Sequence, residues 1–179
     1  LNTNGFSRYL IFIYICIYTP LKRYSSFNTI VGAIPGALPP LGGWVAATNV
    51  INIHAIMLFG ILFCWQIPHF LSLAIIYKED YKRGGYKMLP SITNNTNLIS
   101  FQILFFTMAL IYTSIGIFIL NLTSFVYVVG ATILGLIFLI YSSSIVFDYS
   151  NKTIKRIFIF SIIYLPSLLI LIFIDSYFN

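Results

Sequence analysis

The sequence predicts an all-α polytopic membrane protein with six transmembrane helices, and three observations carry that expectation. Only 8% of its 179 residues are charged while 59% are hydrophobic, against about a quarter charged in an ordinary soluble domain. Two stretches, between Arg23 and Lys78 and from Asn97 to Phe147, hold no Lys, Arg, Asp or Glu at all. The ten basic residues, which give a net charge of +6, are gathered into a few short loops. The hydrophobicity excludes a disordered chain. Two cysteines, Cys16 and Cys64, each inside an apolar run, exclude a disulfide-built secreted scaffold.

A spanning helix takes about 20 mostly apolar residues, at ~1.5 Å each across a ~30 Å hydrocarbon core. Phe6–Leu21 is a short or truncated first span from which Arg8 can snorkel outward. The first charge-free stretch is long enough for two spans, Phe27–Ala47 and Ile53–Tyr77, parted by the polar turn Thr48-Asn49 with Ile51-Asn52. Asn121-Leu122-Thr123-Ser124 divides the second into Leu98–Leu120 and Phe125–Phe147. Ile157–Ile174, ended by Asp175, completes the set.

Charge placement, which did not enter these choices, tests them. Alternation puts the loops Lys22–Ser26, Lys78–Thr96 and Asp148–Arg156 on one face, and these hold every basic residue except Arg8. The turns around Asn49 and Asn121 hold none. Cytoplasmic or matrix-type faces carry such an excess, so the three loops are expected to face inward.

Two spans are irregular. Gly32 to Trp44 contains Pro35, Pro39 and Pro40 with Gly32, Gly36, Gly42 and Gly43. Each proline removes a donor and crowds the preceding turn, so a break near Pro39-Pro40 is expected, the alternative being a kinked helix with small residues for close packing. The next span carries Trp65-Gln66-Ile67-Pro68-His69-Phe70. A Gln and a His this deep are costly against lipid and should face the bundle interior. If helix continues to the inner end, Trp65, His69, Leu73, Ile76 and Asp80 share a face, with His69 ~16 Å from Asp80 along the axis. A polar ring above a carboxylate, with apolar side chains between, suits an elongated ligand with one charged end. A neutral core imidazole bonded to a carbonyl freed by Pro68 remains the competing reading for His69; His54 reads as interfacial only.

The inner loop Lys78-Glu79-Asp80-Tyr81-Lys82-Arg83-Gly84-Gly85-Tyr86-Lys87-Met88-Leu89-Pro90 mixes carboxylates, cations and a glycine pair. Carboxylate suits Mg²⁺, which keeps waters and substrate phosphates; Lys and Arg suit phosphate oxygens; Gly-Gly lets backbone amides approach them. Lys22 and Arg23 emerge on the same face. A diphosphate at the membrane surface would want such surroundings. No Walker loop, zincin helix or CxxC pair occurs in the sequence, and two histidines without a nearby Ser/Asp set disfavour a hydrolase triad. Basic residues confined to short membrane loops fit no nucleic-acid module, so no nucleic acid is expected as a partner.

At these residues the sequence resembles a known family. Tyr18-Thr-Pro-Leu-Lys22-Arg23-Tyr-Ser-Ser-Phe-Asn28 and Val31 to Trp44 are similar to the protohaem IX farnesyltransferase (haem O synthase) family, of the UbiA superfamily of intramembrane prenyltransferases. So are Trp65 to Phe70, Glu79 to Met88, and Arg156-Ile-Phe-Ile-Phe-Ser161-Ile-Ile-Tyr164-Leu165. The motifs run in the family's order over nearly the whole chain, and Arg83-Gly84-Gly85-Tyr86 is closer to the mitochondrial members.

The resemblance implies a single transmembrane prenyltransferase domain over 1–179, N-terminally truncated, its six spans matching the fourth to ninth helices of a nine-helix bundle. It implies transfer of farnesyl from farnesyl diphosphate to a vinyl group of haem B, water supplying a hydroxyl, to give haem O for haem A and cytochrome oxidase biogenesis. The roles implied are Asp80 for Mg²⁺, and Lys22, Arg23, Lys82 and Arg83 for diphosphate, with Asp80, Lys22 and Arg23 catalytic. His69, Gln66, Trp65, Asn28 and Tyr81 would line the haem cavity, His69 as an iron ligand. The family's first Asp-rich motif would precede Leu1, and Gly84-Gly85-Tyr86 replaces a second Asp found in other superfamily members. The implied setting is the mitochondrial inner membrane with basic loops in the matrix, with the lipid bilayer around it and haem A synthase or oxidase-assembly factors as partners. Two alternatives compete: a UbiA-type enzyme acting on an aromatic quinone precursor, and a non-catalytic carrier of a lipidic anion.

Overall fold

The computed structural model describes residues 28–178, the side chain of Asn28 excepted. The expected span Phe6–Leu21 and the pair Lys22 and Arg23 lie outside the described residues. Seven helices follow: α1 Asn28–Thr48, α2 Ile53–Ile76, α3 Lys78–Arg83, α4 Leu89–Ile92, α5 Thr96–Ile119, α6 Phe125–Phe147 and α7 Asn151–Phe178. Among the described residues, α1, α2, α5, α6 and α7 are long and apolar enough to cross a membrane, and they match the five later expected spans to within a few residues except at α7. The chain is an integral membrane protein.

Helices α2, α5, α6 and α7 close into a ring, α2 meeting both α5 and α7, and α1 packs on the outside of α2. Ile61, Ile67 and Leu71 of α2, Ile103 and Leu110 of α5, Phe138 of α6, and Ile157, Tyr164 and Leu168 of α7 form the shared core. Lipid tails are as apolar as these side chains, so close packing and interhelical hydrogen bonds must hold the ring. Thr107 Oγ1 and Ser142 Oγ, both fully buried, join α5 to α6 at 3.0 Å. Ser114 Oγ meets Tyr164 Oη at 3.1 Å, and the Tyr127 hydroxyl donates to the Ser114 carbonyl at 3.1 Å. Gly135 sits so close to α5 that a Cβ there would fall 2.8 Å from Ile111 Cγ1.

Three expectations are corrected. Helix α1 runs unbroken through Pro35, Pro39 and Pro40. A proline ring holds φ at a helical value and costs one donor; the buried positions Ala33, Ala37, Leu41 and Val45 recur every fourth residue, a single stripe on a helix that packs against α2. Helix α7 begins at Asn151 rather than Ile157, because Ser150 Oγ accepts from the Thr153 N–H as an N-terminal cap. Lys152, Lys155 and Arg156 thus stand on its first turns. Nor does Asp175 end that helix. It lies inside α7, 6% exposed, where its carboxylate accepts from the Ser124 N–H at 2.8 Å and from the Ser124 hydroxyl. An anion at the start of α6 satisfies orphan donors and meets the positive end of the helix dipole.

Candidate active site

The antiparallel ring brings the end of α2, α3, α4 and the starts of α5 and α7 to one end of the bundle. Seven basic residues, Lys78, Lys82, Arg83, Lys87, Lys152, Lys155 and Arg156, belong to that end. The opposite turns, Asn49 to Asn52 and Leu120 to Ser124, carry no basic residue. Asn49 and Asn121 turn the chain there with φ of 59° and 58°, a left-handed conformation that Asn tolerates better than most residues.

At the basic end, α2 stops at Ile76. Tyr77 closes it with φ −104° and ψ 28°, its N–H bonded to the carbonyls of Leu73 and Ile75, and Asp80 and Tyr81 donate back to Tyr77 O. The chain restarts as α3, so His69 and Asp80 do not belong to one continuous helix as the shared-face reading required. The face survives in part. Leu73, Tyr77, Asp80, Tyr81 and Tyr86 line one cleft of about 390 Å³, a carboxylate among three phenol rings. Tyr81 and Tyr86 meet edge to face with centroids 6.3 Å apart.

Asp80 is paired with Arg83, Nη2 to Oδ1 at 2.6 Å, one helical turn away and largely exposed; an exposed pair of this kind contributes at most about 1 kcal/mol, so either partner is readily drawn to a ligand. Lys82 stands exposed beside them. The glycine pair does a different job from the one expected of it. Gly84 N–H bonds Asp80 O at 2.9 Å and Gly85 N–H bonds Lys82 O at 3.1 Å, so both amides are spent closing α3. Gly85, at φ 72°, then turns the chain where a side chain would be strained. Lys78 Nζ donates to Asn94 Oδ1 at 3.2 Å and ties the start of the loop to its end.

Higher in the bundle, His69 faces α7 as the interior reading required. Its ring stacks with Trp65, 4.8 Å away at 16°, and with Phe158, 5.0 Å away at 24°, while Phe70 tilts against it at 5.5 Å. Trp65 Nε1 donates to Ser161 O at 2.7 Å, and His69 Nδ1 meets Ser161 Oγ at 2.8 Å. The partner of His69 is therefore a hydroxyl on another helix and not a carbonyl freed by Pro68; the nearby carbonyls of Pro68 and His69 accept from Ser72 Oγ. Gln66, 5% exposed, points elsewhere. It lies against Gly36 of α1, where a Cβ would fall 2.4 Å from Oε1, and its Oε1 has no hydrogen-bond partner among the described residues. Gly36 is what lets the amide fit. Asn28 starts α1. His54 packs edge-on to Trp44 at 5.7 Å, at the start of α2 beside the turn.

Of the candidate residues, the structure gathers Asp80, Tyr81, Lys82 and Arg83 at the basic end and Trp65 with His69 in the ring, and it sends Gln66 to the α1 interface. Sequence reasoning missed Ser161 and Phe158 as partners of His69, and Tyr77 and Tyr86 as walls of the cleft. The one available signal for Ser161 was a lone hydroxyl in an apolar run.

Among the described residues no three of His, Cys, Asp and Glu gather as a metal cage. The cleft itself offers one carboxylate, Asp80, with the cations Lys82 and Arg83 beside it. Across the same end, Asp148 accepts from Thr153 and Ser150 at 2.6 and 2.7 Å. These bonds, with Arg156 and Lys152 nearby, hold its carboxyl below the usual 3.8.

Residues 5–165 match the model of the UbiA prenyltransferase family. A protein of Salinibacter ruber called protoheme IX farnesyltransferase is 42% identical over 90% of this chain and 57% of its own length. Proteins of that name from Solibacter usitatus and Rickettsia felis are 38% and 42% identical, over 98% and 88% of this chain and 60% and 52% of theirs. The chain thus spans between half and three-fifths of these relatives. No solved structure matches it significantly.

Proposed function

Since this chain belongs to the UbiA prenyltransferase family, we propose that it is the portion of a haem farnesyltransferase that grips diphosphate at the basic end and holds haem B by the Trp65–His69 stack. The observation that carries this reading is the 38–42% identity, along 88–98% of the chain, to proteins named for that reaction. The geometry supports it with an acidic, tyrosine-walled cleft among cations at one end and an imidazole in the ring.

In the proposed reaction the allylic C1–O bond of farnesyl diphosphate breaks and the electron pair leaves with the diphosphate. Negative charge grows on those oxygens, and cations already in place stabilise it without reorganisation. Arg83 and Lys82 are offered for this task, with Lys22 and Arg23, and Asp80 as the oxygen ligand of Mg²⁺. The metal, when bound, supplies further charge neutralisation. Tyr77, Tyr81 and Tyr86 wall the allylic carbon from premature attack by water. The vinyl carbon of haem B forms the new C–C bond, the cation left on the haem takes up water, and a proton is released. The products are haem O and diphosphate. The membrane proposed is the mitochondrial inner membrane, from the Arg83-Gly84-Gly85-Tyr86 variant, with the basic end toward the matrix.

The test supplies labelled farnesyl diphosphate to membranes containing the full-length protein, with haem B or an aromatic quinone precursor as acceptor. Label in haem O is the expected result. Label in the quinone precursor alone, or in neither, would overturn the reading. Asp80→Asn in the same assay should cut turnover by roughly 10²-fold, the scale of losing one preorganised electrostatic group.

A further inference from the structure

The contacts around His69 determine which ring nitrogen carries its proton. Ser161 is fully buried and its hydroxyl has one hydrogen. That hydrogen has a close acceptor on its own helix, the Phe158 carbonyl at 2.6 Å, the usual back-bonding geometry of a serine inside a helix. The second contact, to His69 Nδ1 at 2.8 Å, must then run the other way. If Nδ1 were unprotonated, two lone pairs would face each other or the bond to Phe158 would be lost. With Nδ1 as donor both contacts are satisfied. The neutral imidazole is therefore the Nδ1–H tautomer, and Nε2 carries the in-plane lone pair.

The ring's orientation is fixed as well. Trp65 and Phe158 both stack against it, and the Trp65 indole is itself held by its bond to Ser161 O. Ser161 covers the Nδ1 edge. His69 nevertheless remains only partly buried; Phe70 tilts against it with centroids 5.5 Å apart, and Nε2 meets no hydrogen-bond partner among the described residues. An imidazole whose Nδ1–H is bonded and whose Nε2 is open is the arrangement by which histidine binds metals, the bond behind it fixing the tautomer and raising ligand basicity.

We propose that Ser161 is a positioning residue: from α7 it holds His69 of α2 in the Nδ1–H tautomer, so that Nε2 keeps the lone pair to donate to haem iron. The iron-facing half rests on the haem reading above; the tautomer does not. Trp65 and Phe158 set the plane, and Ser161 sets the rotation within it.

The experiment has two arms on the full-length protein in detergent. In the first, His54→Gln, with any histidine outside residues 1–179 also replaced, leaves His69 as the one ¹⁵N-labelled histidine. Its nitrogen spectrum without haem is expected to show a protonated Nδ1 and an unprotonated Nε2, and Ser161→Ala to lose that preference. In the second, haem B is titrated and its visible spectrum read. Ser161→Ala should weaken binding roughly 10-fold to 100-fold, as loss of a partner behind a ligand does, and change the iron's spectrum. Ser161→Thr, which keeps the hydroxyl, should restore both and exclude misfolding as the cause. A protonated Nε2 in the parent, or a Ser161→Ala protein with unchanged tautomer, would overturn the role of Ser161. Haem spectra unchanged by both Ser161→Ala and His69→Ala would overturn the iron-facing half. A parent that binds no haem B would sink the haem reading itself, while the nitrogen spectrum would still decide the tautomer.

Discussion

Single side chains in this bundle do work that their position alone does not announce. Asp148, at the end of α6, accepts from Thr153 and Ser150 and so keeps its charge to lower pH than an ordinary carboxylate. Because its folded-state pKa is depressed, its contribution to stability is complete above the unfolded value and is lost as pH falls through the folded one. The acid limb of a melting-temperature profile, from about pH 5 downward, should therefore flatten in Asp148→Asn; an unchanged limb would mean that the hydrogen bonds to Thr153 and Ser150 do not persist in solution. Asp175 is the buried counterpart at the far end. Replacing it with Ala strips the start of α6 of its carboxylate, and a loss of about 1–2 kcal/mol is expected in detergent unfolding. Asp175 read as a stop signal in the sequence because one carboxylate after an apolar run marks the water boundary. What no single sequence shows is that α6 begins beside it and supplies the donors that let it stay inside.

Helices were legible to different degrees for the same kind of reason. Spans α2, α5 and α6 follow from hydrophobic length bounded by polar turns, and their ends fell within a few residues of expectation. Helix α1 was misjudged because three prolines and four glycines in thirteen residues were weighed together as breakers. A proline's φ is helical, and the helix packs through the buried row Ala33, Ala37, Leu41 and Val45. At α7 the charges of Lys152, Lys155 and Arg156 hid the true start, since hydropathy marks where lipid begins and a cap marks where helix begins. Tight contacts between elements escape sequence reading altogether. Gly135→Ala drives a methyl toward Ile111 and should cost about 1–3 kcal/mol, the range for overpacking, whereas Gly43→Ala, with open space around it, should cost little. Equal losses at the two positions would show that α5 and α6 do not approach as closely as described.

On the scale of the whole molecule, one end of the ring is basic and the other is not. That asymmetry was readable because it depends only on how many times the chain crosses. Cysteines placed at Lys152 and Asn121 should accordingly react with an impermeant thiol reagent from opposite sides of sealed vesicles, and labelling of both from one side would break the topology. The candidate site was readable in its parts, as a carboxylate-rich basic loop and a Gln/His pair, but not in its assembly. The tyrosine cleft needs the chain to stop at Tyr77 and restart, and the imidazole clamp needs a serine 92 residues away. The proposed function places its two substrates at two levels of the bundle, the diphosphate at the basic end and haem beside His69. It is tested most directly by measuring KM for farnesyl diphosphate and for haem B separately in Asp80→Asn and His69→Ala. Asp80→Asn is predicted to impair use of the diphosphate with haem KM near that of the parent, and His69→Ala to do the reverse. Both variants acting on the same substrate, or neither acting on either, would contradict it.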